Sequence, residues 1–447
     1  MSFKLCRTGT YLYVPVPVVV IHQYSFASLF LFLCFIFLFQ TPFVFSSQKH
    51  QNLYLSTTMA SSSEGQGEGQ GRLLPDPPTD GITQLCYFQN PASSSQLAST
   101  SWDGSIRIHD TSVDSAKLLT EHQMDSGPLL ALAADSSGSS LYTGGLDGSV
   151  KKFDIESSTV TTLGFHSPHL NNLVSNENDD DDVNVSSSVE VACSCLSVLQ
   201  PSRDGSSTSI LASAGWDSNF YLWDVRTSSK TGAVANIKLP DKAFSMDVDP
   251  STGNRIAIAT SGLKLVIIDV RMMNNASIEN TTAEIVLNRD SSLKYQSRVC
   301  KFFPDGIGVA IGSIEGRVAL EFLNELGVSS GGMTKYAFKC HRQEDIVYPV
   351  NAIAFHPSYG TFATGGCDGT VVTWDGLHKK KLAVLPQFPA AIAAMAFNHD
   401  GSELAIASSY TFEEGENGGS GVSGSRNAKD EIYIRSMIDS EVRPKGK

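Results

Sequence analysis

One short phrase returns seven times along the chain, and its spacing constrains the fold more than any other feature. SWDG at 101–104 recurs as GLDG at 145–148, GWDS at 215–218, TSGL at 260–263, SIEG at 313–316, GCDG at 366–369 and SSYT at 408–411. The third residues are Asp103, Asp147, Asp217, Gly262, Glu315, Asp368 and Tyr410, separated by 44, 70, 45, 53, 53 and 42 residues. A period in the low forties, stretched by loops, belongs to a radial array of small sheets and not to a helical solenoid. The flanking segments agree. ALAAD, FSMDVD, VCKFF, NAIAFHP and AMAFNHD alternate apolar and polar residues at the strand period of two. Strands that follow the phrases close at Asp110, Asp154, Asp224, Asp269 and Asp375. Helical periodicity is absent over this stretch.

Seven phrases predict seven blades. One four-stranded blade cannot bury both of its faces, whereas a closed ring of blades can. Trp223-Asp224 and Trp374-Asp375 form the WD dipeptide at strand ends. Residues 80–440 therefore resemble the WD-repeat propeller, and the expected fold is all-β, a seven-bladed WD-repeat β-propeller. On that resemblance His341, Thr364, Asp368 and Trp374 occupy the positions of the family's buried hydrogen-bond tetrad. The third repeat matches with Ser213, Asp217 and Trp223, and with His166 as its candidate histidine. These polar residues hold turns together and are not read as a catalytic His-Asp pair. Two insertions interrupt the ring. One is an acidic loop, 167–188, containing SNENDDDDVNVSSS at 175–188; the other is a flexible Gly/Ser-rich loop, 413–430.

The first 58 residues do not share the pattern. No Asp, Glu, Lys or Arg occurs between Arg7 and Lys49, and residues 24–45 are apolar over about the length that crosses a bilayer. Eight of the chain's 23 Phe fall in that segment, the composition expected of a translated pyrimidine-rich leader, and no small-residue cleavage site follows. Residues 1–58 are therefore read as an apolar extension, an untranslated leader if not a signal or anchor, with the working protein beginning at Met59. Residues 59–79 read as a disordered linker and 441–447 as a basic tail.

Charge and chemistry narrow the function. Thirty-three basic against 46 acidic side chains give a net charge of −13, which argues against a general DNA-coating protein while leaving room for one small basic patch. Membrane association is not expected of residues 59–447. The eight cysteines contain no C-x-x-C pair, so neither a disulfide framework nor a zinc site is expected. H-E-x-x-H, a phosphate-binding G-x-x-x-x-G-K-[S/T] loop and G-x-S-x-G are missing, and GQGEGQG at 65–71 is low complexity. No metal and no cofactor is expected. The chain reads as a binding module and not an enzyme.

One block is unusually basic for an acidic chain. Between 289 and 349 stand Arg289, Lys294, Arg298, Arg317, Lys335, Lys339, His341 and Arg342, near strand ends or turns. Together they are expected to form a cationic face for carboxylates or phosphate, Arg by paired hydrogen bonds and Lys as a point charge. SSLKYQSR, GSIEGRVALEF, KYAFKCHR, IVYPVNAIAFHP, YGTFATGGCDGTVVTWDG and ASSYTFEEGE resemble the mitotic spindle checkpoint WD-repeat family, the last phrase its plant members. The related nuclear-pore mRNA-export propellers share LKYQ-x-R, GSIEGRVA and FKCHR. The LEF after GRVA, VYPVNAI and FATGG side with the checkpoint family, whereas FNHDG at 397–401 leans towards the export proteins.

That resemblance implies a concrete function. Both families bind a short peptide, the GLEBS motif, on the propeller's top face, with its acidic residues against basic ones around the central channel. Checkpoint members also read phosphothreonine in Met-Glu-Leu-Thr repeats of the kinetochore scaffold. The implied partners are a GLEBS-containing checkpoint kinase or pseudokinase and the phosphorylated scaffold, with no direct DNA binding. The implied location is nucleus and kinetochore, and also cytoplasm. The alternative is an mRNA-export propeller that binds nucleoporin GLEBS motifs. Matching positions here are Trp102, Arg298, Arg317 and Lys339. Arg298 and Arg317 are expected to meet carboxylates or phosphate, Lys339 to add charge, and Trp102 to give an apolar wall. AGWDSNFYLWD, in the third repeat, lacks the family's usual basic residue before the closing strand, and the acidic insertion before it is unusual. Both mark a divergent member.

Overall fold

The aspartate of the repeated phrase builds the turn that it marks. Its carboxylate accepts the backbone N–H two residues on, from Ser105 to Asp103 at 2.8 Å, Ser149 to Asp147 at 2.9 Å and Asn219 to Asp217 at 3.0 Å. The following residue is left-handed, which glycine adopts without a Cβ clash: Gly104, Gly148, Gly316 and Gly369 have φ between 60° and 79°. Ser218 and Leu263 hold the same conformation without that freedom. Each such turn joins the second and third strands of a four-stranded antiparallel sheet.

The computed structural model describes residues 69–89, 95–113, 116–166, 191–199, 210–225, 233–272, 281–411 and 429–445. The apolar extension 1–58, the acidic loop 167–188 and residues 413–428 of the second insertion lie outside the described residues. Seven four-stranded sheets follow one another. Here they are blades 1 to 7, with strands A to D from first to last. Blade 1 comprises Ile82–Tyr87, Gln96–Ser101, Ser105–Asp110 and Lys117–Gln123; blade 5 comprises Ser297–Phe302, Gly308–Ser313, Arg317–Phe322 and Tyr336–Lys339. Each A strand touches the A strands of the blades before and after it, and blade 7 meets blade 1, so the ring closes around a central channel.

Burial follows from this layering. B strands lie between neighbouring blades and are buried on both faces, so they read as unbroken small and apolar runs such as SLYTGG and GVAIGS. A Cβ on Gly365 would stand 2.4 Å from Ile392 of the next blade. D strands face outwards and alternate, as in KLLTEHQ. The core is thus seven separate apolar layers, one in each gap between blades.

Two segments depart from the reading of the sequence. Arg72–Leu73, inside the stretch read as linker, pair antiparallel with Ile434 and Tyr433 and supply strand D of blade 7. The ring is sealed by chain that precedes blade 1. Two residues are too few for a periodicity to show. Residues 441–445, read as tail, dock on blade 6: the Thr361 hydroxyl donates to Val442 O at 2.6 Å and that of Thr373 to Glu441 O at 2.7 Å.

His109 ties the sealing segment to blade 1. It holds the strand C position that Trp223 and Trp374 hold in blades 3 and 6, and its Nε2 lies 2.9 Å from Pro75 O. A ring N–H donates there, and Nδ1 is buried without a partner. Burial pulls its pKa below the ordinary 6.5, helped by the Arg107 charge and opposed by the Pro75 bond. The neutral ring is the folded form, so its contribution is present above pH 6.5 and is lost as the pH falls from there through the folded pKa. Unfolding free energy is therefore expected to drop between pH 7 and 5. In His109→Gln, which keeps an N–H donor without titrating, that limb should be shallower; equal slopes in denaturant titrations would refute the assignment.

Candidate peptide-binding face

All four sequence-predicted residues lie at one end of the ring, the end that carries the B–C turns and D–A connections. Trp102 sits in the B–C turn of blade 1. Arg317 opens strand C of blade 5, Lys339 ends strand D, and Arg298 is the second residue of strand A. Arg317 and Lys339 are direct cross-strand partners. Three of the four thus converge on blade 5, and Trp102 stands three blades away around the ring.

The innermost strands explain the place of Arg298. Every A strand carries a register shift at its second residue, so that one residue bulges out of the ladder. The bulged residues are Thr83, Leu130, Ser194, Phe244, Arg298, Asn351 and Ala393, and all seven line the upper channel, a cavity of about 180 Å³. Arg298 is the one charge in this ring of seven. Its Nε donates to Asn351 Oδ1 at 3.2 Å, while the Asn351 amide donates onward to Ile392 O. One guanidinium is therefore aimed at the mouth by a neighbour that is itself held.

Arg317 is more open. It is 34% exposed, and its Nε lies 3.3 Å from Glu315 Oε2, in ion-pair range but without the alignment of a hydrogen bond. Lys339 is exposed beside it. Arg342 Nη2 donates to Glu315 O at 2.7 Å, and exposed Lys294 donates its backbone N–H to the Glu315 carboxylate at 3.2 Å. Five cations thus stand on the top of blade 5, and Arg317 among them is in ion-pair range of the Glu315 carboxylate.

The other three members of the basic block are elsewhere, which corrects the expected grouping. Arg289 pairs with buried Glu321 at 3.1 Å and with Glu325. Lys335 precedes strand D at the far end of the blade. His341 is inside the blade 6 tetrad: Nδ1 lies 2.9 Å from Asp368 and Nε2 2.8 Å from the Thr364 hydroxyl, which accepts the Trp374 indole N–H at 2.9 Å. Blade 3 repeats this with His166, Ser213, Asp217 and Trp223. Burial alone would raise the Asp368 carboxyl, but the hydrogen bond and charge of His341 and the bonds from Thr370 outweigh it and hold the pKa low.

Sequence reasoning missed two parts of this face. Lys301 lines the upper cavity and also a lower one of about 410 Å³, with Nζ 2.8 Å from Asp247. Desolvation lowers its pKa, and the Asp247 carboxylate more than restores it. Its strand reads as core because period two does not separate channel from blade gap. Arg342–Gln343 and Ile346–Val347 form a small hairpin above blades 5 and 6, with Ile346 59% exposed; Tyr295, before strand A, is 56% exposed. By contrast the face near Trp102 is acidic. Trp102 packs on Gly81 beside Asp103, and the pKa of half-buried Asp430 is raised by desolvation, against its Ser409 bond, with Asp80, Asp103 and Glu431 adding to the rise. Among the described residues no group of His, Cys, Asp and Glu is arranged to hold a metal, and no helix is long and apolar enough to cross a membrane.

The sequence matches the WD domain, G-beta repeat family over residues 72–110, 114–154 and 332–375. It is 35% identical over 370 residues to mitotic checkpoint protein bub3 of Dictyostelium discoideum, covering 82% of this chain and 94% of that protein. It is 36% identical over 384 residues to mitotic checkpoint protein BUB3.1 of Arabidopsis thaliana, covering 84% and 95%. A Poly(A)+ RNA export protein of Schizosaccharomyces pombe is 31% identical over 347 residues, 76% of this chain and 84% of that protein. The likeness to checkpoint proteins extends over more than four fifths of the chain, well beyond the repeat matches, and with the seven-bladed ring it places the chain in the Bub3 family of mitotic checkpoint WD-repeat proteins.

Proposed function

We propose that the chain is a non-catalytic adaptor of the spindle assembly checkpoint. Its top face binds a GLEBS segment of a checkpoint kinase or pseudokinase and, with that partner in place, phosphorylated Met-Glu-Leu-Thr repeats of the kinetochore scaffold. It acts in the nucleus and at kinetochores, and is also present in the cytoplasm. The observation that carries this reading is the convergence on blade 5: the Arg317–Lys339 cross-strand pair stands beside Arg298, the one charge among the seven bulged residues of the upper channel. Arg298 and Arg317 offer paired donors to carboxylate or phosphate, Lys339 a mobile charge, and Trp102 a flat apolar wall across the face.

The test is fluorescence anisotropy on the full chain. One probe is a checkpoint-kinase GLEBS peptide; the other is a Met-Glu-Leu-Thr peptide, phosphorylated or not, with the GLEBS peptide present. Binding of the first, and phosphate-dependent binding of the second that Arg298→Ala abolishes, is the expected result. GLEBS binding without phosphate discrimination would favour an mRNA-export role, the reading that the 31% identical export protein supports. No binding of either probe would overturn both.

A further inference from the structure

We infer that the outer rim of blade 6, away from the top face, is a second docking surface, for an acidic protein segment that carries aliphatic side chains. The turn and strand D of this blade read GLHKKKLAVL over 376–385, three consecutive lysines with no acid in a chain of net charge −13. Lys379, Lys380 and Lys381 are all at the surface. Two other parts of the chain bring further cations to them. Lys335 precedes Tyr336, whose ring lies 4.5 Å under the Lys379 ammonium. The docked C-terminal segment brings Arg443 and Lys445; Lys380 Nζ donates to Lys445 O, and Lys445 Nζ to Leu382 O, each at 3.3 Å.

Little answers this charge from within. Among the described residues no carboxylate is within ion-pair distance of Lys335, Lys379, Lys381 or Lys445. Asp375, beside the turn, is buried and held by His378 at 2.7 Å. Asp439 meets Arg443 at 3.7 Å, both mostly exposed. Lysines do guard outer strands against chance pairing. One suffices for that, and the outer strands of blades 1, 2, 3 and 5 place no three together.

The neighbours choose between kinds of polyanion. Leu377 is 42% exposed and Val384 53% exposed, at either end of the lysine strand. At about 3.3 Å per residue they bracket a stretch that a short extended segment would span. A single-stranded nucleic acid would need open aromatic faces to stack on. Here Tyr336 is capped by Lys379, and Tyr359 stacks on His356 while its hydroxyl donates to Asp439 at 3.1 Å. Charge complementarity with flanking aliphatic contacts fits an acidic protein segment.

The test uses the full chain and a fluorescein-labelled twelve-residue peptide of glutamates with leucine at every third position. Two controls are the same peptide with serine for leucine, and a twelve-nucleotide oligouridylate. The leucine peptide should bind saturably, and more tightly than either control. Replacing Lys379, Lys380 and Lys381 with Gln should weaken it about tenfold, as the loss of three exposed charge contacts to carboxylates does. Replacing Leu377 and Val384 with Ser should weaken it several-fold, and Arg317→Glu, on the top face, should change it less than twofold. The glutamine variant is chosen because it avoids the repulsion that could unfold a charge-reversed one; its thermal melt checks that the fold is kept. The inference is overturned if the unaltered chain shows no saturable binding, if the folded glutamine variant binds as before, if serine peptide or oligouridylate binds equally well, or if Arg317→Glu removes the binding.

Discussion

Arg317→Glu is expected to weaken binding of an acidic or phosphorylated peptide at the top face by two to three orders of magnitude while the chain stays folded. The side chain is 34% exposed and in ion-pair range of Glu315 at 3.3 Å. A hydrogen bond to a charged group contributes about 1.5–3 kcal/mol, and reversing the charge adds repulsion of similar size, so a loss of about 3–4 kcal/mol is reasonable. At about 1.4 kcal/mol per decade that is roughly 100- to 1000-fold. Arg317→Lys keeps the charge but loses the planar pair of donors, and should fall between the two. Glu315→Gln should act in the opposite direction. It removes the negative charge that stands 3.3 Å from Arg317 Nε and competes with an anionic ligand for it, so affinity for an anionic peptide should rise several-fold. Anisotropy titrations beside a thermal melt give both readouts. Binding of Arg317→Glu within threefold of the unaltered chain would remove Arg317 from the site.

The contrast between Arg317 and Arg289 shows what the sequence made legible. Both are arginines of one basic block, and both stand near strand ends. Arg317 opens a strand directly after a repeated turn, so the phrase SIEGR itself tells which end of the blade it occupies. Arg289 carries no such marker, and its pairing with buried Glu321 depends on the neighbouring blade. The repeat was legible because four of the seven turns use the same local chemistry: an aspartate that bonds two residues on, then a left-handed residue. Three positions of the tetrad were legible because they keep fixed offsets, Thr364 and Ser213 before the turn aspartate and Trp374 and Trp223 after it, whereas the histidine stands 27 residues before the aspartate in blade 6 and 51 before it in blade 3. The bulges that turn one residue of every A strand into the channel left no mark, since a single inserted residue only looks like a lapse in alternation. Lys301 was hidden for the same reason. Its strand alternates correctly, and nothing in alternation distinguishes a channel wall from a gap between blades.

The sealing strand is the least legible element and carries the largest expected effect on stability. Leu74→Ala should lower the unfolding free energy by about 2–4 kcal/mol, the usual range for a buried leucine. Leu74 is 1% exposed, packed between blades 7 and 1 against Ile82, Leu85, Ile432 and Ile434. Its backbone N–H also donates to Ile432 O at 2.9 Å, directly beyond the two paired residues Arg72 and Leu73. With so short a strand, the leucine anchors what two ladder pairs cannot. Loosening it leaves Glu431–Ser436 as an open strand edge and frees blade 7 from blade 1, while the other blade gaps keep their own apolar layers. The loss should therefore be local before it is global. Hydrogen exchange in Leu74→Ala should rise first in Glu431–Ser436 and in Ile82–Tyr87, with Ser297–Phe302 of blade 5 still protected. A loss below about 1 kcal/mol would mean that the seal is ornamental. Exchange rising equally in all blades would mean that the ring opens as one unit and not at its seam.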